Sequence, residues 1–387
     1  FEPHVIEGEE EAYYATLGVI SGFFQPRGLV GDIGGGSLEV AEALGDQVGE
    51  RRASMPLGAL PVRKMLAAGL DQAKERVDAI LKSALPPMLT QPDFYLVGGG
   101  WRALARVHIA ENSYPISVVH GYEIPAEDLL GLAKRIARMT PDKVAELPDV
   151  PRRRIDTLAA SAFVLWRVFR ILKPERAVFS AFGLREGWLY RQLDQDDYYR
   201  DPLVEGAQSI GLPAARVPKF SASLGQWTEH LFPGETQELR RIRLAACALT
   251  DLSWRDHQKI RAKDSFNRLL EFPFIGVSHS ERVFLSVAIL ARYGGKIDAE
   301  IKDRIGQLLS PAELQRAEVL GRALLLGHRF SASVPEILMQ TEIEIDADAV
   351  RLVVQSEASV PDSDAVQSRL QQLAKALGIG NSEIVRA

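Results

Sequence analysis

The stretch Asp32-Ile33-Gly34-Gly35-Gly36-Ser37-Leu38-Glu39 joins two short apolar runs, residues 28–33 and 38–43. Runs of that length that meet at glycines predict two strands of a hairpin. Without β-carbons, three successive glycines let backbone N–H groups close around an anion, and Ser37 adds a hydroxyl donor. Asp32 ends a buried strand, where a charge is costly unless it meets a metal or a donor. Glu39 can face the same side from the second strand. Two carboxylates flanking an anion loop suit Mg2+, or Mn2+ in its place, since a hard cation takes oxygen ligands and shares phosphate oxygens. The competing reading of the same residues is a tight hairpin whose glycines serve only the turn.

Outward from this loop the pattern repeats. Residues 94–97 (FYLV) form a second buried run that enters Gly98-Gly99-Gly100, and residues 101–110 then have helical spacing. A helix start behind glycines carries free N–H groups and a positive dipole, so it is a second anion site. A third run, residues 177–181, ends at Phe182-Gly183 before a helix over 184–192. Helices are also predicted over 61–68, 70–83, 126–138 and 154–172. Strands feeding helices through glycine turns predict an α/β domain whose sheet is covered by helices. The opening segment Glu7-Gly8-Glu9-Glu10-Glu11 reads plainly as a solvated acidic helix start; the sharper reading is that the apolar helical pattern behind it turns one acid inward. A partly buried acid near other carboxylates has a raised pKa, as a general base for water requires.

The character changes further along. Residues 201–218 are rich in Pro, Gly and Ala and read as a linker between an α/β domain at 1–200 and a helical domain at 219–330. In that domain helices are expected over 236–249, 254–270, 278–293, 298–309 and 312–328. Residues 331–387 read as a small α+β end-piece, a hairpin over 341–345 and 350–355 followed by a helix over 363–377. With 387 residues, two or three domains are expected. No apolar run approaches the roughly 18 residues of a membrane-spanning helix, so no membrane partner is expected. A net charge of −5 argues against a general nucleic-acid coat. Cys247 is the single cysteine and lies in the apolar run 244–249, which predicts a buried thiol and a reducing, cytoplasmic setting.

At five ordered segments the chain resembles the exopolyphosphatase / guanosine pentaphosphate phosphohydrolase family, of the sugar kinase–Hsp70–actin (ribonuclease H-like) fold class. Residues 6–12 resemble its "ISG-x-EEA" segment, with Glu7 in place of the usual Ser. Residues 32–39 resemble its "DIGGGS-x-E" loop and residues 98–105 its "GGG-x-R-x-LA" loop. His120-Gly121-Tyr122-Glu123-Ile124 is similar to "HGYEL", and Gly183-Leu184-Arg185-Glu186-Gly187 to "GLREG". The resemblance implies Glu11 as the water-activating base and Asp32 and Glu39 as Mg2+-associated acids. It implies Gly34, Gly35, Gly36 and Ser37, with Gly98, Gly99 and Gly100, as the phosphate cradle. The implied activity is removal of the terminal phosphate of inorganic polyphosphate, or of guanosine pentaphosphate, by a homodimer. Nothing matches the "D-x-GSNS" loop of the family's N-terminal lobe, so that lobe is expected to be missing or to lie outside this sequence. Arg185 and Glu186 are read as a structural ion pair, with lining of the channel as the alternative.

The helical part resembles HD-type phosphohydrolases, but Thr250-Asp251 stands where His-Asp is expected and Asp264 where a second His is expected. His257 and His279 do not complete a ligand set. Its basic run is the other candidate feature: Arg240, Arg241, Arg243, Arg255, Lys259, Arg261 and Lys263 fall within 24 positions. The sharper reading is a track for a long polyanion, extended by Arg152-Arg153-Arg154, and the plainer one a solvated helix face. A polyphosphate- or alarmone-binding regulator without turnover, and more distantly a sugar kinase, are the alternatives.

Overall fold

The computed structural model describes residues 5–85, 92–198, 200–306, 308–355, 360–361 and 363–386. The chain divides into two compact units, Phe1–Tyr199 and Arg200–Ala387.

The first unit opens with α1 (Gly8–Gly22), then a meander of β1 (Arg27–Ile33), β2 (Leu38–Leu44) and β3 (Gln47–Met55). Helices α2 (Ala59–Ala68) and α3 (Leu70–Ala84) lead to β4 (Asp93–Val97) and α4 (Gly99–Glu111). Then come β5 (Tyr122–Pro125), α5 (Ala126–Ile136), a short α6 (Pro141–Ala145), α7 (Ile155–Leu172), β6 (Arg176–Phe179), α8 (Leu184–Tyr190) and α9 (Gln195–Tyr198). The sheet order is β3-β2-β1-β4-β6-β5, with β1, β4 and β6 parallel and the remaining pairs antiparallel. Burial separates its two faces. Leu29, Phe94 and Leu96 join the large core with α3, α4, α5 and α7. Val30, Tyr95, Val97 and Val178 pack under Leu17, Val19 and Ile20 of α1. The period-2 alternation of a strand produces this split directly.

The hairpin and the strand over 94–97 lie where the pattern predicts them. The third strand, β3, was not foreseen, because its exposed Glu50 and Arg51 hide the alternation, as charges commonly do on a sheet edge. Helix α4 begins at Gly99, inside the glycine run, two residues before the expected start.

The second unit contains α10 (Pro202–Ala214), α11 (Phe220–Trp227), α12 (Gln237–Leu249), α13 (Arg261–Glu271), α14 (His279–Arg292), α15 (Ala299–Ile305), α16 (Pro311–Ser331) and α17 (Pro335–Met339). The antiparallel pair β7 (Thr341–Ile345) and β8 (Ala349–Val354), helix α18 (Asp364–Leu377) and β9 (Asn381–Arg386) follow, with β9 parallel to β8. Two expectations are corrected here. Residues 201–218 are mostly helix, not linker: Asp201 caps α10 by accepting from the N–H groups of Leu203 and Val204, Pro202 sits where a missing N–H costs nothing, and Pro213 falls in the last turn. The expected helix at 254–270 starts only at Arg261, and residues 254–260 run as turns. Cys247 is buried, and burial pushes its thiol up to about 12.

In the first unit α1 and α8 touch through glycine. A β-carbon on Gly187 would stand 1.8 Å from the Tyr14 carbonyl oxygen, and one on Gly18 would stand 2.1 Å from that of Gly183. Gly187→Ala should therefore push the two helices apart and cost at least the ~1–3 kcal/mol typical of overpacking. Urea unfolding measures this, and an unchanged midpoint would rule out the contact.

Candidate active site

The site begins with the pairing register. Asp32 stands directly opposite Glu39 across the β1–β2 hairpin, so two carboxylates share one sheet face at the turn. Like charges in that position repel. The turn closes with Gly34 N–H donating to Ser37 O at 3.0 Å. The first N–H groups of α2 then hold the outer carbonyls: Ala59 N–H donates to Gly34 O at 3.1 Å and Leu60 N–H to Gly35 O at 2.9 Å. The N–H groups of Gly35, Gly36 and Ser37 have no acceptor among the described residues.

The glycines themselves discriminate between a turn and a cradle. Gly34, Gly35 and Gly36 are exposed, and none has the positive φ that would demand glycine. A β-carbon on Gly36 would meet nothing within 4 Å, and those on Gly34 and Gly35 would make only ordinary contacts at 3.6 and 3.7 Å. The fold does not require glycine here, whereas bare N–H groups facing solvent suit an approaching anion.

Gly98 is a different case. Its φ is +102°, and a β-carbon would stand 2.4 Å from Ile33 O and 3.0 Å from Asp32 Oδ1. The second loop therefore lies directly on the end of β1. Gly183 closes the other side, since its β-carbon would stand 3.6 Å from Asp32 Oδ2. Asp32 is enclosed by both turns. Burial pushes its carboxyl up to about 6, with Glu11 and Glu186 adding to the rise and Arg102 opposing it. Burial pushes Glu39 up to about 7 against the lowering effect of Ser37 and Ser54, with Glu11 and Asp32 adding. Ser54 Oγ donates to Glu39 Oε1 at 2.9 Å.

Glu11 reaches this group from α1. Glu9 and Glu10 are exposed, and Glu10 is used as a cap, accepting from Glu7 N–H at 3.2 Å. Glu11 is half-buried and close enough to Asp32 and Glu39 to raise both. It is the inward-turned acid of the opening segment. Glu11, Asp32, Glu39, Gly34, Gly35, Gly36, Ser37 and Gly98 thus come together. Gly99 and Gly100 form the first turn of α4, but Gly100 is buried against Ser161 and is packing rather than cradle.

Two arginines stand here beyond the expected residues: Arg102, which was not foreseen, and Arg154, which was read only as an extension of the basic run. Arg102, one turn into α4, donates to the carbonyls of Ser180 at 3.2 Å and Ala181 at 3.3 Å while facing Asp32 and Glu186. The Arg154 guanidinium lies over Gly99, 2.1 Å from where a β-carbon would stand, and has no acceptor among the described residues. The Arg of the second glycine loop was a usable signal for Arg102. The triplet Arg152-Arg153-Arg154 marked Arg154 as a basic residue but not as the partner of Gly99. The Arg185–Glu186 ion pair is present, with the two groups 3.9 Å apart and Arg185 exposed, and the other Glu186 oxygen accepts from Gly183 N–H at 2.9 Å, capping α8.

The basic run of the second unit does not form a track. Arg241 is buried and bound to Asp201, Glu281 and the Gly276 carbonyl. Arg243 is buried, with Nε on Glu235 at 2.8 Å. Lys263 pairs with Glu300 at 2.8 Å, and Arg261 lies over the Tyr293 ring. Only Arg240, Arg255 and Lys259 remain exposed without an acidic partner among the described residues. At the HD-like position Asp251 is held by Arg216 at 2.9 Å and Arg292 at 3.1 Å, and Thr250 meets His328 Nε2 at 3.0 Å. Guanidinium groups claim the carboxylate that a metal would need. Asp264 and His257 are exposed, and His279 opens α14.

The family model described as the Ppx/GppA phosphatase family matches residues 2–196. The chain belongs to this family. A second model, the exopolyphosphatase C-terminal domain, matches residues 203–384. Retrograde regulation protein 2 of Saccharomyces cerevisiae is 26% identical over 348 residues, covering 81% of this chain and 57% of that protein. Exopolyphosphatase 1 of Mycobacterium bovis is 31% identical over 208 residues, 50% of this chain and 60% of that protein. The chain thus spans less than two thirds of the length of these relatives. Among solved structures, a Ppx/GppA member from Aquifex aeolicus is 24% identical with a TM-score of 0.42, covering 49% of this chain and 63% of that one. Members of the Ppx/GppA family are phosphatases.

Two measurements follow. Gly36→Ala should fold as stably as the parent, or up to ~1 kcal/mol more so, since the position is unstrained and open. Its affinity for phosphate should fall; equal affinity would return the loop to a mere turn. The second concerns protons. A carboxyl raised on folding keeps a proton that the unfolded chain has released, so its penalty is absent below about pH 4 and complete above about pH 7. Without divalent cations, Glu39→Gln should gain on the parent in stability from pH 5 to 8. A difference that stays flat across that range would contradict the raised carboxyl.

Proposed function

We propose that this protein hydrolyses the terminal phosphoanhydride of inorganic polyphosphate, and that the first unit carries the base and the phosphate cradle. The observation that carries the reading is the set of unclaimed N–H groups at Gly35, Gly36 and Ser37 beside the carboxyls of Glu11, Asp32 and Glu39. Neutral turn glycines would need neither feature.

Mg2+ fits the donors. Asp32 and Glu39 are hard oxygen donors whose charged forms are disfavoured by burial, which a cation would reverse. Among the described residues no three His, Cys, Asp or Glu side chains group as a metal site. That matches a Mg2+ ion held through one or two carboxylates and phosphate oxygens rather than by a protein cage. Asp32 and Glu39 would hold it, and when bound it would neutralise charge developing on the transferred phosphoryl group.

The chain's own groups do the rest. The amides of residues 35–37 orient the terminal phosphate, and Arg154 and the α4 N-terminus offset its charge. Glu11 accepts a proton from the attacking water, and its place near Asp32 and Glu39 holds that water on the cradle side. Water's oxygen bonds to the terminal phosphorus as the bridging P–O bond breaks, and the shortened chain leaves with the electron pair. Guanosine pentaphosphate presents the same terminal bond, so competition between it and long-chain polyphosphate assigns the substrate.

A second reading has one observation in its favour: the relative aligned over 81% of this chain is named a regulation protein. A regulator would bind polyphosphate without turnover. Glu11→Gln separates the two. Phosphate release in Mg2+ should fall by about 10²–10⁴, the range for a lost general base, while polyphosphate binding stays within a few-fold. No release from the parent protein, with binding intact, would favour the regulator.

A further inference from the structure

Once the basic run is resolved into its individual side chains, a cavity remains in the second unit that the proposed chemistry does not use. Its volume is about 480 Å³, and α10, α11 and α12 line it, within the ~300–1,000 Å³ usual for small-molecule sites. Val204, Leu212 and Leu244 give it an apolar wall, and Gln208 and Gln226 contribute amides.

Three cations line the same cavity: Lys219, Arg240 and Arg243, against the single acid Glu229. Lys219 and Arg240 are exposed and have no acidic partner among the described residues. Arg243 is the informative one, because only 2% of it is exposed. Its Nε donates to Glu235 at 2.8 Å, and its Nη1 to Thr228 Oγ1 at 3.0 Å and to the Gly225 carbonyl. Glu235 is shared with Arg316. Arg243 Nη2 has no acceptor among the described residues. A buried guanidinium held through Nε and Nη1 and unclaimed at Nη2, lining a cavity, is a preorganised donor for an oxyanion.

We propose that this cavity binds a phosphorylated small molecule of nucleotide size, its phosphates on Arg243, Arg240 and Lys219 and its less polar body against Val204, Leu212 and Leu244. A bare polyphosphate chain fits less well. It has no use for the apolar wall, and the basic run does not continue, since Arg241 is turned into the core and Lys263 is tied to Glu300. The proposal is independent of catalysis in the first unit.

Photolabelling of the whole protein with an azido-adenine analogue of ADP tests it, with peptide mapping as the readout. Label is expected on peptides spanning 204–226 and 240–244. The double variant Lys219→Gln with Arg240→Gln should lose about tenfold of that label, since two charge-assisted contacts go while both positions are exposed and dispensable for folding. Any label in residues 5–198 should be unchanged, which separates this site from the phosphate cradle. Unlabelled ADP should displace the label better than inorganic tripolyphosphate. Label confined to the first unit, insensitivity to the double variant, or stronger displacement by tripolyphosphate would each overturn the proposal. Arg243→Ala is the wrong probe, because it would remove a buried guanidinium that ties Glu235, Thr228 and the Gly225 carbonyl together.

Discussion

Two carboxylates set opposite one another across a hairpin are the constraint around which the first unit is organised. Asp32 and Glu39 share a sheet face at the end of β1 and β2, where their repulsion and desolvation both oppose folding. The surroundings reduce that cost without removing it: Ser54 donates to Glu39, and Arg102 faces Asp32. The remaining penalty is carried as protons, which is why both groups sit above the ordinary carboxylate range. A site kept in this condition is one that a cation and a phosphate would relieve together.

The three glycine turns acquire distinct meanings from this pair. Gly98 and Gly183 let the ends of β4 and β6 close beside Asp32, since a β-carbon on Gly98 would stand 2.4 Å from Ile33 O and one on Gly183 2.6 Å from the Val97 side chain. Gly34, Gly35 and Gly36 are under no such pressure. The N–H groups of Gly35 and Gly36 are unclaimed among the described residues, and the carbonyls of Gly34 and Gly35 are spent on the start of α2. The parallel order of β1, β4 and β6 brings all three turns to the same end of the sheet, where open α/β sheets bind their ligands.

The second unit uses its charge differently. Arg241, Arg243 and Arg292 are buried and tie helices together through carboxylates and carbonyls. Losing one partner of such a contact would strand a buried charge, so these residues resist substitution for structural reasons. What is left over for binding is the unclaimed Nη2 of Arg243 with the exposed Arg240 and Lys219.

Much of the frame was legible in the amino-acid order. Glycine runs after apolar runs located the hairpin, β4 and α4, because φ freedom and burial are properties of single residues and short windows. The inward acid of the opening segment could be foreseen as one of four, and helical phase selected Glu11. The edge strand β3 was hidden by its own surface charge, and α10 was hidden by Pro and Gly at positions where a helix tolerates them. The fate of the basic run lay wholly in the tertiary structure. Arg241 and Arg243 point about 160° apart on α12, yet both are buried because α10, α11 and α14 cover the helix on more than one side, while Arg240 meets solvent, and a count of charges along the chain carries no such packing. Arg154 makes the same point across distance. Composition and spacing determined that a phosphate-type loop flanked by acids exists here; only the folding of α7 against α4 decided that an arginine some 50 residues away in sequence would lie across Gly99.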